Sequence, residues 1–363
     1  MTRRVLVARL DSMGDVLLCG PALRAVAQQA EVVMLCGPRG TDAAALLPGV
    51  RERIVWDAPW ISAPAPPVHQ SAVDELVHRV RDAGVDEAII LTSFHQSPLP
   101  LALLLRLAGV ARITGASVDY AGSLLDVRLR PGEDLDEDIP EPERARRIVE
   151  AAGYPRDDDD HLRLRPLPDT SELTGGPGYV ALHPGAAVPA RMWTAEGFAR
   201  TARLLADGGH RVVITGGPGE RELAQVILAA CPEAIDLTGA CALAQLAGVL
   251  AGADVLVAGN TGPAHLAAAA GTPVVSLFSP VVPAVRWAPY GVPVALLGDQ
   301  HAACCGTRAR DCPVPGHPCL TSVTAEEVVA AVHRLRGSRA APAQPCERAE
   351  LCERSMADEG VSA

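Results

Sequence analysis

The residues with the clearest chemical potential sit where a strand pattern gives way to a helix pattern. The first group is Arg9-Leu10-Asp11-Ser12-Met13-Gly14-Asp15. Gly14 permits a tight backbone turn, and Asp15 then falls at the N-terminus of a helix. A carboxylate there has a plain structural use as an N-cap. It also has a chemical use: at the mouth of a strand it can act as general base on a substrate hydroxyl. Pro21 comes soon enough to kink that helix or delay its start. The turn lacks Gly-x-Gly-x-x-Gly, so it is not a dinucleotide fingerprint.

Three further groups repeat the strand-to-helix placement. His183-Pro184-Gly185-Ala186 ends one strand, and Arg191-Met192-Trp193 lies in the loop before the next helix. A guanidinium there can hold a phosphate through two parallel hydrogen bonds; the structural alternative is a surface Arg191 beside a buried Trp193. His183 alone reads first as a structural hydrogen-bonding residue. In Thr215-Gly216-Gly217-Pro218-Gly219-Glu220 the glycines allow close approach of a ligand, and Glu220 can accept from ribose hydroxyls. Glu220 also suits the acidic first turn of a helix. Glu222 stands where a dinucleotide motif needs its third small residue. The most specific group runs from Gly259 through Asn260, Thr261, Gly262, Pro263 and His265 to Pro273, between two apolar strands. Thr261 or Asn260 can cap the short helix, Pro263 suits its first turn, and free amides at Thr261 and Gly262 point their dipoles at an anion. A structural reading explains the caps but not the clustering of Asn, Thr and His at one strand mouth.

These groups need a frame that brings strand mouths together. The spacing predicts strands at Arg4–Arg9, Glu31–Cys36, Arg53–Trp56, Glu87–Leu91 and Ala111–Gly115 in the first half. In the second half it predicts Tyr179–Leu182, Arg211–Thr215, Ala234–Asp236, Val255–Ala258, Pro273–Leu277 and Pro293–Leu296. Helical patterns alternate with them. Such alternation implies parallel sheets with helices on both faces. The expected fold class is α/β, with two doubly wound, Rossmann-like domains in tandem: residues 1–166, a linker at 167–177, and residues 178–337. Residues 338–363 read as a disordered tail. The acidic, proline-bearing segment Pro131–Glu143 is expected to be exposed, and Arg156–Asp160 to be a solvated charge run. In open α/β sheets ligands bind at the carboxyl ends of the strands, which here places a cleft between the halves.

Composition narrows the partners. Of 363 residues, 48% are hydrophobic and 21% charged, enough apolar material for sizeable cores. Lysine is absent, so arginine carries all the fixed positive charge. The net charge of −11 argues against a nucleic-acid binder, which needs a basic face. Arg9 and Asp11 interrupt the first apolar run too early for a secretory signal. No stretch has the length of a membrane span, so the expected location is cytoplasmic. Ten cysteines are present, and Cys304, Cys305, Cys312 and Cys319 crowd into one loop. Their spacing fits no standard zinc ribbon. They read either as thiols packed under a loop or as a metal or redox site.

Taken together the motifs resemble glycosyltransferase family 9, the ADP-heptose:lipopolysaccharide heptosyltransferases. The carriers are Arg9-Leu10-x-Ser12-Met13-Gly14-Asp15 with Pro21-Ala22-Leu23, then His183 to Ala186, Gly216 to Glu220, and Thr261-Gly262-Pro263-x-His265-Leu266. The resemblance implies the GT-B fold, with an acceptor-binding N-terminal domain facing a nucleotide-sugar-binding C-terminal domain. It implies Asp15 as catalytic base, with Ser12, Met13 and Gly14 on the acceptor side. It implies Gly185, Ala186, Arg191, Glu220, Asn260, Thr261, Gly262 and His265 on the donor side. The implied reaction is inverting transfer from a nucleoside-diphosphate sugar to a glycolipid or saccharide acceptor, with peripheral contact at the inner face of the plasma membrane where the acceptor carries lipid. Two positions depart from the family pattern: Asn260 stands where Asp is common, and Arg191 where Lys is common. Asn brings no charge to a metal, so no cofactor is required on this reading, and Mg²⁺ is weakened as an alternative. Competing expectations are a nucleotide-sugar epimerase or hydrolase, a non-catalytic nucleotide-sugar-binding protein, and a metal or redox protein built on the cysteine loop.

Overall fold

The computed structural model describes residues 3–62, 64–155 and 160–336. The charge run at 156–159 and the expected tail, with Cys346 and Cys352, lie outside the described residues.

Two all-parallel sheets of six strands each carry the chain. The first contains β1 (Arg4–Arg9), β2 (Glu31–Cys36), β3 (Val50–Val55), β4 (Glu87–Ile90), β5 (Arg112–Ala116) and β6 (Val127–Leu129), in the order β3-β2-β1-β4-β5-β6. The second contains β7 (Val180–His183), β8 (Val212–Ile214), β9 (Ile235–Asp236), β10 (Val255–Gly259), β11 (Val274–Leu277) and β12 (Val294–Leu297), in the order β12-β11-β10-β7-β8-β9. Each sheet reverses its winding once, between β1 and β4 and between β7 and β10, and such a reversal opens a crevice at the carboxyl ends. Strands covered on both faces read as unbroken apolar runs. That is why Val5–Ala8 and Val255–Ala258 are fully buried.

The sequence pattern located these strands to within a few residues and missed β6, whose short Val-Arg-Leu run carries little signal. The linker region contains a helical turn at Ser171–Thr174. Pro131–Glu143 departs further from expectation. Its acidic residues alternate with Leu135 and Ile139, which are buried, and Glu141 is buried as well. The segment is a half-inserted strap, not a solvated loop. Asp160, at the end of the charge run, is ion-paired to Arg146.

The halves share apolar packing. Val16 and Leu17, from the helix Met13–Leu18, sit in one continuous core with Ala264, Leu266 and Ala267 from the helix Gly262–Ala269. Two glycines permit this approach. A Cβ at Gly14 would stand 2.8 Å from the His265 ring, and a Cβ at Gly262 would overlap the end of Met13. Glu137 adds an ionic clasp, 3.0 Å from Arg286 of the second half and 3.2 Å from Arg144 of the first. Arg286 in turn lies 4.4 Å over the Phe94 ring.

Candidate active site

Two connected cavities open where the mouths of β1 and β4 face those of β7 and β10. One, of about 530 Å³, contains Asp11, Asp15, His95, His265 and Arg308. The other, of about 500 Å³, contains Met13, His183, Ala186, Glu220, Leu243 and Leu246. Ser12, Gly14, Arg39, Arg191, Asn260, Thr261 and Gly262 line both and form the passage between them. The structure therefore brings Asp15 together with every residue that the resemblance assigns to the acceptor or donor side except Gly185, which lines neither cavity. Its contribution is space: a Cβ there would overlap the Glu220 carboxylate.

Asp15 is the third residue of its helix, and Ser12 occupies the N-cap position. Pro21 is the second residue of a further helix, Gly20–Ala27, after a break at Cys19, so the expected interruption is present. The Ser12 hydroxyl donates to Asp15 Oδ2 at 2.7 Å and the Ser12 amide at 3.3 Å. Arg9 Nη2 donates to Asp15 Oδ1 at 3.0 Å. Burial works against the carboxylate charge, but Arg9, Ser12 and His265 more than offset it and hold Asp15 below the usual carboxylate range. An ionised carboxylate at a cavity wall can accept a proton from a bound hydroxyl.

Across the passage the chemistry is different. Arg191 ends a 3₁₀ turn, Pro189–Arg191, and is half-buried; its Nε is buried without a partner. Burial pulls its pKa down, so a bound anion would relieve a real desolvation cost. The surface-Arg alternative does not hold, although Trp193 is indeed buried, 5.2 Å from the Phe198 ring. Thr261 is the N-cap of the helix Gly262–Ala269 but makes no side-chain cap bond. Its hydroxyl and the first amides of that helix remain available to an anion.

Asn260 does not cap either. Its side-chain NH₂ donates to the Ser279 carbonyl at 3.3 Å, and its oxygen accepts from the Ser279 amide at 3.4 Å. This two-way pairing ties the end of β10 to the end of β11, and an aspartate could make only half of it. His265 is buried beside Asp15 with Nδ1 unpartnered. Burial drives its pKa down to about 4, leaving a neutral ring at pH 7. Glu220 precedes its helix, Arg221–Ala230, instead of starting it, and accepts from the Gly217 amide at 2.6 Å. His183 Nδ1 pairs with Thr215 Oγ1 at 3.0 Å, the structural use expected of it.

Sequence reasoning missed part of this site. Ser93 to Gln96 lie at the mouth of β4, and Arg308 and Arg310 arrive from the cysteine loop. The first group carried a usable signal, because polar residues directly after a strand at a winding reversal face the crevice. The second did not, because a loop without periodicity gives no direction. The loop itself is pinned by backbone bonds from Gly306 to Pro280 and from Arg308 to Val281. Cys304 and Cys319 are buried in the apolar core beneath it, Cys312 is half-buried and Cys305 is exposed. Among the described residues no three His, Cys, Asp or Glu side chains are grouped so as to hold a metal. Cys304, Cys305, Cys312 and Cys319 are not so grouped, and burial pushes the Cys319 thiol up to about 11.

The family model for glycosyltransferase family 9 (heptosyltransferase) matches residues 138–316. The lipopolysaccharide heptosyltransferase 1 of Pseudomonas aeruginosa is 29% identical over 322 residues, 82% of this chain and 84% of that protein. Over these residues and along most of its length the chain is similar to glycosyltransferase family 9. Lipopolysaccharide heptosyltransferase 3 of Escherichia coli is 31% identical over 119 residues, 32% of this chain and 35% of that protein. The chain spans about a third of the length of the first relatives it matches. The solved structure of E. coli ADP-heptose lipopolysaccharide heptosyltransferase II superposes with a TM-score of 0.70 at 21% identity, covering 92% of this chain and 98% of that one. The two facing parallel sheets are thus the GT-B fold. No helix among the described residues is long and apolar enough to cross a membrane.

Proposed function

We propose that this chain is a family 9 glycosyltransferase that moves a sugar, with inversion, from a nucleoside-diphosphate donor of the ADP-heptose class to a hydroxyl on a cell-envelope saccharide or glycolipid. The observation that carries this reading is one juxtaposition. An ionised Asp15 lines the same cavity as Arg191, Thr261 and Gly262. A proton acceptor and a diphosphate cradle are the two halves of a glycosyl transfer.

On this reading the second cavity takes the nucleotide. Leu243 and Leu246 offer an apolar wall to the base, and Glu220 accepts from the ribose hydroxyls. Arg191 and the helix start at Gly262 hold the diphosphate. The first cavity takes the acceptor. Asp15 removes the proton from its hydroxyl as that oxygen bonds to the anomeric carbon. The carbon–oxygen bond to the diphosphate breaks, and the nucleoside diphosphate leaves with the electron pair. The charge that develops on it is met by Arg191 and the amides, so no metal is needed for that step. A lipid-bearing acceptor would bring the protein to the inner face of a membrane without a span.

Relatives carry lipopolysaccharide heptosyltransferase names, and these supply the first donor and acceptor to try. The test is an assay of ADP release from ADP-heptose with and without a panel of saccharide and glycolipid acceptors, with product configuration read by NMR. Acceptor-dependent release and an inverted anomeric centre are expected. Donor consumption without any acceptor, or a retained configuration, would overturn the reading.

A further inference from the structure

Asp15 is one of three carboxylates gathered on a single buried guanidinium. Arg9 is the last residue of β1 and 2% exposed. Its Nε lies 2.8 Å from Asp11 Oδ2, its Nη1 donates to Glu141 Oε2 at 3.2 Å, and its Nη2 donates to Asp15 Oδ1 at 3.0 Å and Ser93 Oγ at 2.8 Å. Glu141 is itself 2% exposed and opens the helix Glu141–Ala151. Its Oε1 has no partner. Asp11 is 8% exposed at the cavity wall and accepts from Gln96. So many buried carboxylates on one arginine are costly, and apolar packing alone would not call for them.

A base needs two properties that conflict. It must be held in one orientation, and it must still be able to take a proton. A guanidinium paired to Asp15 alone would give the first and remove the second, because the proton would have to displace a strong buried ion pair. Sharing that guanidinium among three carboxylates keeps the geometry and dilutes the charge that Asp15 feels. We infer that Glu141 and Asp11 are positioning residues that keep Asp15 reactive by competing for Arg9. The inference rests on Asp15 being the base.

Other groups also face Asp15. His265 approaches from the helix Gly262–Ala269, Arg191 from its turn, and His95 from the loop after β4. Burial keeps His265 and His95 below the usual histidine range, which removes them as proton donors at neutral pH. The Cys19 thiol, beneath the hub, is pushed up to about 12 by burial and stays protonated. Asp11 is also pushed up by burial, against the pull of Arg9.

The test is the pH profile of kcat for acceptor-dependent nucleoside diphosphate release in Glu141→Gln, Glu141→Asp and Asp11→Asn. Removing the Glu141 charge should move the acidic limb to lower pH by about half to one unit and reduce the plateau roughly three- to tenfold, as the base weakens. Donor KM should stay the same. Asp11→Asn should move the limb in the same direction, and Glu141→Asp should recover most of the plateau. A limb that stays in place in both neutral variants while thermal stability falls would make the cluster purely structural and overturn the inference. If Glu141→Gln does not fold, Asp11→Asn at the cavity wall decides by the same limb. An Asp15→Asn enzyme with undiminished turnover would instead sink the assignment of Asp15 as base, an outcome independent of the limb positions.

Discussion

The mouth of β1 and the mouth of β10 face each other across one passage, and they are built from opposite materials. At β1 the working parts are side-chain charges: Arg9, Asp11, Asp15 and Glu141, all largely buried and tied to one another. At β10 they are backbone and small residues. There Asn260 locks the turn to Ser279, Thr261 makes no cap bond with its hydroxyl, and Gly262 lets the opposite helix close in. The contrast matches the two tasks of the proposed transfer. Moving a proton requires a group whose charge changes, and that charge must be tuned by its neighbours. Holding a diphosphate requires donors that do not change, which amides and one arginine supply. The β1 side should therefore respond to charge and pH, and the β10 side to shape and hydrogen bonding.

The largest expected effect breaks the β1 side alone. Asp15→Asn keeps the shape and removes the proposed base, and kcat should fall by about 10²- to 10⁴-fold. Arg191→Ala breaks the opposite side. It should weaken ADP binding by roughly 10- to 100-fold in a calorimetric titration, the usual worth of charge-assisted hydrogen bonds, whereas Arg191→Lys keeps the point charge and should lose less.

Asn260→Asp sharpens the comparison, because it puts a charge where the structure uses an amide. The variant loses the donor to the Ser279 carbonyl and leaves that carbonyl unpaired in a buried turn. A stability loss of about 1–3 kcal/mol is expected in urea unfolding, with activity changed through the turn's position. An unchanged midpoint would show that the pairing with Ser279 contributes nothing.

The smallest effect concerns His265, which belongs to the β10 side but faces Asp15. Its folded pKa is about 4, below the ordinary histidine value of 6.5. Between those two values the unfolded chain binds the proton and the folded chain does not. Stability should therefore fall as pH drops from 6.5 toward 4. In His265→Gln that part of the slope should disappear from urea midpoints measured across the same window. Asp15 contributes in the same direction at lower pH. Its depressed pKa gives stability that is present above the ordinary carboxylate range and lost as pH falls through the folded value.

How much of this could be read from residues alone differs between the two sides as well. The β10 side was legible, since Gly259 to His265 forms one continuous stretch whose types announce a helix start beside a ligand. The strand pattern was legible for the same reason: period and apolarity are local. On the β1 side the Arg9–Asp15 stretch was visible, but the partners that gather on Arg9 from outside it were not. Glu141 sits 132 positions from Arg9, and an acidic, proline-bearing stretch reads as solvent-exposed until its partner is known. Pairing over such distances is a property of the fold, not of the stretch. Arg308 and Arg310 were hidden likewise, in a loop whose cysteines drew attention to metal chemistry and away from the arginines beside them. Asn260 was visible as part of the Gly259–His265 stretch, but its bonds to Ser279 were not. Its type suggested a changed ligand contact, and its bonds show a clamp between two strands.

The division of labour across the passage is tested most directly by titrating the Asp15→Asn enzyme with ADP-heptose and measuring its acceptor-dependent turnover on the same preparation. Donor affinity should stay within about threefold of the unaltered enzyme, since Asn preserves the shape of the wall, while turnover is lost. A variant in which affinity and turnover fall together, or in which turnover survives, would contradict that division.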